Sequence, residues 1–163
     1  MQTTPETLAN RLKAEGNAVM DFFQKLPEEL WRQELYSSGG VWRLRELLAH
    51  FIAAEQGFIA LIQNVAGGGS GVEADFDIDA YNERTVESLR AVEPDVLLGQ
   101  YAMVRERTAA VVSELRAEQL TIRGRHPYLG ETDLEAMIKL IYNHNTLHLR
   151  DARRALAERE EQP

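Results

Sequence analysis

The chain contains no cysteine, and this absence excludes several kinds of chemistry. Disulfide bonds, thiolate metal sites and cysteine nucleophiles cannot form, so histidine and carboxylate side chains must carry any reaction. The sequence also lacks an apolar run near the ~18 residues of a membrane span, and residues 1–12 are too polar for a signal peptide. We therefore expect a cytoplasmic protein with no membrane partner.

Basic residues are too few to favour nucleic acid. The 18 lysines and arginines are outnumbered by 26 aspartates and glutamates, which gives a formal net charge of -8. This charge opposes the counterion release that drives binding to phosphate backbones, and no basic stripe interleaved with aromatic residues offsets it. We expect no nucleic-acid partner.

Apolar residues recur at helical spacing through most of the chain. Its 163 residues are the size of one domain, so residues 1–163 are predicted to form a single helical domain. Long amphipathic helices are predicted from residue 5 to 25, from 44 to 62, from 94 to 116 and from 132 to 158, with a shorter helical stretch over 78–90. Because no alternating strand pattern is present, we predict an all-α four-helix bundle, whose topology the spacing leaves open.

Local signals mark helix starts and connections. Thr4 and Pro5 suit the start of the first helix, and Thr132 with Glu135 fits a capping box before the last one. Stretches rich in glycine, serine or proline predict a break at residues 37–40, a flexible surface connection at 67–71 and a loop at 124–130.

Two histidines, His144 and His148, lie four residues apart near the C-terminus. On a helix they share one face, which the apolar spacing of the last helix predicts to point inward. His50 falls on the apolar face of the second long helix. Buried imidazoles disfavour their charged form and leave ring nitrogens free for a cation. We predict that His50, His144 and His148 hold one divalent metal ion, the alternative being a hydrogen-bonded polar cluster.

Three histidine ligands leave a coordination position open, which is typical of catalytic rather than structural zinc sites. Zinc, nickel, iron and manganese are the candidate ions, since imidazole suits several of them, and zinc is the leading candidate. An ion with an open position can polarise a water, a thiol or a carbonyl. No side chain is identified as a general base or nucleophile.

Four other polar residues near the histidines carry weaker signals. Asp151 lies three residues after His148 and either orients its ring or pairs with an arginine on the same helix surface. Glu55, five residues after His50, is predicted to be a solvated charge. Asn145 either bonds into the site or lies on the helix surface. His126, in the loop, is predicted to be structural or near the pocket mouth rather than a ligand.

Residues 42–55, in which Trp42 precedes a helix containing leucine, alanine, histidine and then an acidic residue, resemble the second-helix signature of the DinB/YfiT-like superfamily. The histidine, proline and glycine of residues 126–130, followed by a helix with His144 and His148, resemble the closing loop and helix of the same family. The resemblance covers nearly the whole chain in the right order.

The resemblance implies a four-helix bundle of up-down-down-up topology, a divalent metal held by three histidines and frequent homodimers. His50, His144 and His148 match the ligand positions one by one. It also implies thiol-dependent transferases and isomerases that use low-molecular-weight thiols such as mycothiol or bacillithiol. Residues 79–82 are similar to a segment of the mycothiol-dependent maleylpyruvate isomerase branch, which has a glutamate in place of His144 and an additional C-terminal domain.

Together these features lead to two functional hypotheses. The first is a metal-dependent transferase or hydrolase that activates a low-molecular-weight thiol or water toward a small electrophilic substrate. The second is a noncatalytic dimeric bundle that binds a small ligand or a partner and keeps a structural or vestigial metal site.

Overall fold

The structure, a computed structural model, describes residues 3–36 and 42–160. Within these ranges the chain forms five α-helices, four short strands and two short 3-10 helices. The α-helices are α1 (Pro5–Gln24), α2 (Leu44–Ala66), α3 (Ile78–Ser88), α4 (Pro94–Ser113) and α5 (Leu134–Glu160). The strands are β1 (Glu34–Tyr36), β2 (Trp42–Arg43), β3 (Arg123–His126) and β4 (Gly130–Asp133), and the 3-10 helices are Glu28–Arg32 and Ala117–Thr121. The predicted break at residues 37–40 lies outside the described ranges.

The four long helices α1, α2, α4 and α5 form the predicted four-helix bundle. Helices α1 and α2 each pack against both α4 and α5, so α1 and α2 occupy opposite corners. The Arg11 guanidinium lies over the Tyr142 ring, and the Arg153 guanidinium lies over the Phe22 ring. Because residue numbers rise together along both helices, α1 and α5 run parallel.

No helix in the described part of the chain is long and apolar enough to cross a membrane.

The other two long helices form a second parallel pair. The rings of Phe51 and Tyr101 are in contact, and one turn further along, Glu55 pairs with Arg105. Phe23, in the last turn of α1, contacts Phe51 near the start of α2, so these two helices run in opposite directions. The directions are therefore up for α1, down for α2 and α4, and up for α5, which confirms the up-down-down-up topology that the resemblance implied.

Side-chain caps lie at the starts of α1, α3 and α5. The Thr4 hydroxyl accepts a hydrogen bond from the Thr7 N–H at 3.2 Å, so α1 begins where it was predicted to begin. The last helix begins two residues later than predicted. Thr132 belongs to β4, and the Asp133 carboxylate instead accepts a hydrogen bond from the Ala136 N–H at 2.8 Å.

The two β-hairpins were not predicted. Strands β1 and β2 pair antiparallel, as do β3 and β4, and the second hairpin occupies the stretch predicted to be a loop. Residues 67–71 are also not a free connection, since the Arg125 N–H in β3 donates to the Ser70 carbonyl at 2.7 Å and the Val72 N–H donates to the Arg125 carbonyl at 3.0 Å. These strands have two to four residues and β3 and β4 are mostly polar, so they lack the alternation by which strands are recognised.

Two apolar clusters fill the bundle, with a polar layer between them. The first joins the end of α1 to the starts of α2 and α4, and the second joins the start of α1 to the ends of α2 and α4. On α5, Asn145 falls between Ile141 of the second cluster and Leu149 of the first. The buried polar side chains at this level are Glu55, Arg105, Thr108 and Asn145.

Replacing Gly16 by alanine is expected to destabilise the bundle. A Cβ atom at Gly16 would lie 2.6 Å from Cγ of Arg105, whose guanidinium reaches the Leu12 carbonyl of α1 at 3.3 Å. Alanine in a helix interior normally gains about 0.8–1 kcal/mol over glycine, but overpacking costs about 1–3 kcal/mol. We therefore expect Gly16→Ala to lower the free energy of unfolding by up to about 2 kcal/mol.

Gly99→Ala in α4 is the matched control, because a Cβ there meets no described atom within 4 Å. This variant should be about 0.5–1 kcal/mol more stable than the parent protein. Urea unfolding measures both changes, and stabilisation by both alanines would contradict the close contact between α1 and Arg105.

Candidate metal centre

His50, His144 and His148 lie together between α2 and α5, as predicted. The Nε2 atom of His144 is 3.0 Å from Nε2 of His50 and 3.1 Å from Nε2 of His148. One ligand atom from each of the three residues lies within 4.8 Å of the other two. Nε2 of His144 therefore lies close to the same ring nitrogen of both other histidines.

The arrangement fits a small divalent ion. Three nitrogen ligands at bond lengths of about 2.0–2.1 Å and tetrahedral angles lie about 3.3 Å apart. The two separations from Nε2 of His144, 3.0 and 3.1 Å, are only slightly shorter, and the ligand atoms of all three residues lie within 4.8 Å of one another, so small ring rotations would admit an ion. These three residues could hold a metal.

The histidine pair lies at the edge of the buried face of α5 rather than at its centre. Ile141, Asn145 and Leu149 are buried and form the centre of that face, whereas His144 and His148 are half-buried. The centre of the buried face therefore lies about one residue around the helix from the position predicted from the sequence. The site therefore has the core on one side and the partly exposed His144 and His148 on the other.

Burial lowers the pKa of all three histidines. It brings the pKa of His144 to about 4, with additional repulsion from His148. The pKa of His50 is held well below its ordinary value by burial first, then by His144 and His148. Burial also lowers the pKa of His148, against the opposing charge of Asp151. The neutral imidazole is the form that binds metal, so the rings are available as ligands at neutral pH.

Aromatic side chains surround the three imidazoles. The Trp42 ring lies edge-on to His50 with a centroid distance of 5.1 Å. The Phe51 ring lies 6.0 Å from His144 and 5.9 Å from His148. Trp42 belongs to β2, so the hairpin missed in the sequence supplies one wall of the site. These rings limit the orientations that the histidines can adopt.

Glu55 is buried, and the prediction that it is a solvated charge is wrong. Its side chain pairs with the Arg105 guanidinium at 2.6 Å and accepts a hydrogen bond from the Thr108 hydroxyl at 2.5 Å. Burial raises the pKa of the Glu55 carboxyl against the opposing effect of Arg105. The sequence held a signal for this burial, since Glu55 lies three residues after Ile52 and four before Ile59, both buried.

Asn145 bonds into the site, which decides between the two predicted alternatives. Its side-chain oxygen accepts a hydrogen bond from Nδ1 of His144 at 3.2 Å, and its amide nitrogen donates to the Tyr101 hydroxyl at 3.1 Å. Burial raises the pKa of Tyr101, so the phenol stays protonated. Asn145 therefore links a candidate ligand to the buried polar layer.

Asp151 pairs with arginines of the same helix, which is one of the two roles considered for it. Its carboxylate lies 3.6 Å from the Arg154 guanidinium and 3.8 Å from that of Arg150. Its charge also raises the pKa of His148, so it acts electrostatically on that ring.

His126 lies outside the group of three histidines and supports the hairpin instead. Its Nδ1 accepts hydrogen bonds from the Tyr128 N–H at 3.0 Å and the Leu129 N–H at 3.1 Å. Its ring stacks on Phe58 with a centroid distance of 5.6 Å. The structural role predicted for His126 is confirmed.

The stability of the metal-free protein should depend on pH through these histidines. Burial lowers the pKa of His126 and of His144 to about 4 in the folded chain, whereas unfolded histidines titrate near 6.5. Between these values the unfolded chain binds more protons, so stability is lost as pH falls through this window. Each such histidine adds a slope of up to about 1.4 kcal/mol per pH unit.

Urea unfolding between pH 4.5 and 7.5 measures this slope. The raised pKa of Glu55 acts in the opposite direction, so the histidine share is read as a difference between the parent and His126→Gln. We expect the parent to show the steeper rise of stability with pH. Equal slopes would contradict the lowered pKa of His126.

Solved structures share this fold. YfiT from Bacillus subtilis, described as a probable metal-dependent hydrolase with an unusual four-helix bundle topology, is 15% identical with a TM-score of 0.77, over 96% of this chain and 87% of YfiT. The mycothiol-dependent maleylpyruvate isomerase is 11% identical with a TM-score of 0.75, over 93% of this chain and 63% of the isomerase. The colibactin self-resistance protein ClbS, crystallised with dsDNA, is 12% identical with a TM-score of 0.73, over 100% of this chain and 99% of ClbS. At such identities the likeness shows the fold alone.

The sequence itself identifies the family. The chain matches no curated protein. The family model of the DinB superfamily matches residues 11–152, a span that includes all three histidines of the candidate centre. The chain therefore belongs to the DinB superfamily.

Proposed function

We propose that this protein is a metal-dependent enzyme that acts on a small molecule, with a divalent ion held by Nε2 of His50, His144 and His148. The convergence of these three nitrogens, at 3.0 and 3.1 Å, is the observation that carries the proposal. Their lowered pKa values keep the rings in the neutral form that ligates metal. Zinc is the leading candidate; nickel and iron also suit imidazole, and manganese, which prefers oxygen ligands, is the weakest of the four candidates.

The proposed reaction class follows from the coordination position that three histidine ligands leave open. A divalent ion held by three histidines supplies Lewis acidity toward a water or a low-molecular-weight thiol at neutral pH. Trp42 and Phe51 pack against the imidazoles and hold them in place. The half-buried side of His144 and His148 gives a small electrophile access to the site. We therefore propose a transferase or hydrolase, in keeping with the mycothiol-dependent isomerase and the probable hydrolase YfiT.

A small molecule suits this chain better than nucleic acid. ClbS was crystallised with dsDNA, and this is in tension with our expectation of no nucleic-acid partner. However, the formal charge of -8 on this chain opposes binding to phosphates.

Three further expectations stay predictions. These are a single domain over residues 1–163, a homodimer and a cytoplasmic location.

Metal-dependent turnover tests the proposal. Protein purified without a histidine tag would be stripped with a chelator and reconstituted with zinc, nickel, iron or manganese. Each form would be assayed with an aryl halide plus a low-molecular-weight thiol, and with an activated ester in water. We expect turnover with at least one metal, its loss in His148→Ala and its retention in His126→Gln.

Two other results would contradict the proposal in different ways. Metal binding without turnover in either assay would favour the noncatalytic ligand- or partner-binding bundle. Binding of dsDNA at physiological salt in a gel shift would contradict the expected absence of a nucleic-acid partner.

A further inference from the structure

The second ring nitrogens of two candidate ligands have different surroundings. Nδ1 of His144 donates to the Asn145 side-chain oxygen at 3.2 Å. Nδ1 of His50 is buried and has no hydrogen-bond partner within residues 3–36 and 42–160. Of these two rings, only His144 has its Nδ1 atom hydrogen-bonded to a neighbouring side chain within the described ranges.

The Asn145 amide is itself held in place. It is 2% exposed, and its amide nitrogen donates to the Tyr101 hydroxyl at 3.1 Å. The Tyr101 ring lies under the Arg105 guanidinium at 5.6 Å, and Arg105 pairs with Glu55 at 2.6 Å. Because the Tyr101 hydroxyl accepts the hydrogen bond from the amide nitrogen, the side-chain oxygen of Asn145 faces His144.

This contact determines which nitrogen of His144 can act as a ligand. A neutral imidazole carries one proton, so a proton on Nδ1 leaves a lone pair on Nε2. Nε2 of His144 is the atom that lies 3.0 and 3.1 Å from the other two histidines. The other tautomer would place a hydrogen at the point where an ion would bind.

We propose that Asn145 is a positioning residue of the metal centre, whose carbonyl keeps the His144 proton on Nδ1 and the Nε2 lone pair directed toward His50 and His148. The role at the metal rests on the proposed function, whereas the tautomer is a property of the metal-free chain. Ligating histidines usually donate their second N–H to an oxygen, and loss of that partner costs about 10–100-fold in metal affinity.

Three variants separate this role from a packing role. Asn145→Leu removes the acceptor at similar size, Asn145→Asp keeps an acceptor oxygen, and Tyr101→Phe removes only the partner of the amide nitrogen. We expect Asn145→Leu to bind zinc about 10–100-fold more weakly than the parent. Asn145→Asp should bind zinc at least as tightly as the parent. The zinc affinity of Tyr101→Phe should fall by less than about tenfold.

Two measurements decide the outcome. Competition with a chromophoric chelator gives the zinc affinity, and long-range nitrogen-15 NMR of the metal-free protein gives the tautomer of His144. The parent and Asn145→Asp should show the proton on Nδ1, and Asn145→Leu should lose this preference. If Asn145→Leu does not fold, Asn145→Ala is measured in the same way.

Retention of the Nδ1 proton in Asn145→Leu, or zinc affinity equal to that of the parent, would overturn the proposal. A packing role would lower stability in Asn145→Leu and leave the tautomer unchanged. If the parent bound no zinc but the tautomer shifted as expected, the proposed function would fail while the positioning of His144 would stand.

Discussion

Replacing His50 by alanine is expected to weaken zinc binding by more than about 100-fold, because it removes a ligand itself rather than an outer partner of one. The remaining pair, His144 and His148, comes from a single helix and holds only one side of the ion. The change also removes the 3.0 Å contact between Nε2 of His50 and Nε2 of His144, so each variant is compared with its own metal-free form.

Thermal unfolding with and without zinc gives a direct reading of this loss. An ion at 100 times its dissociation constant stabilises the folded state by about 2.7 kcal/mol. This stabilisation should raise the Tm of the parent and of His126→Gln. The Tm of His50→Ala should rise little or not at all under the same conditions. Equal stabilisation of His50→Ala by zinc would mean that His50 is not a ligand.

Glu55→Ala should have the largest effect on stability, lowering the free energy of unfolding by about 3–5 kcal/mol. Glu55 is 1% exposed and pairs with Arg105 at 2.6 Å in the layer between the two apolar clusters. Removal of the carboxylate leaves the Arg105 charge buried without its partner, and a buried unpaired charge is much more costly than a missing contact.

A double variant provides the control. Glu55→Leu with Arg105→Met replaces both charges by apolar side chains, a change that is often neutral or stabilising for buried ion pairs. We expect urea unfolding to show this double variant close to the parent and far more stable than Glu55→Ala. A loss below about 1 kcal/mol in Glu55→Ala would contradict the buried pair.

Glu55→Ala should also weaken zinc binding at the three histidines. The Arg105 charge already contributes to lowering the pKa of His144, and Glu55 offsets that charge. In Glu55→Ala the uncompensated cation would oppose a second cation at the histidines, so zinc affinity should fall as well.

The long helices could be predicted because their signal is local. Apolar residues at spacings of three and four give the stripes of α1, α2, α4 and α5, and the same spacing brings His144 and His148 to one face. His50 could be placed by the same pattern on α2. The order and directions of the helices came from the family resemblance, since spacing along one helix says nothing about its neighbours.

The buried polar residues could not be predicted in the same way. Glu55 is stabilised by Arg105, which lies 50 positions later in the chain, and Asn145 is stabilised by Tyr101 of another helix. A polar residue on an apolar stripe signals burial, but only the packing of the helices shows which partner satisfies it. The short hairpins were missed for a related reason, because β3 and β4 are polar and become strands only by pairing with each other.

The central claim is that His50, His144 and His148 bind one divalent ion through their Nε2 atoms. Anomalous diffraction from crystals of tag-free protein grown with zinc tests it most directly. We predict one strong anomalous peak at about 2.0–2.1 Å from all three Nε2 atoms. No peak at saturating zinc, or a peak coordinated only by other residues, would contradict the claim.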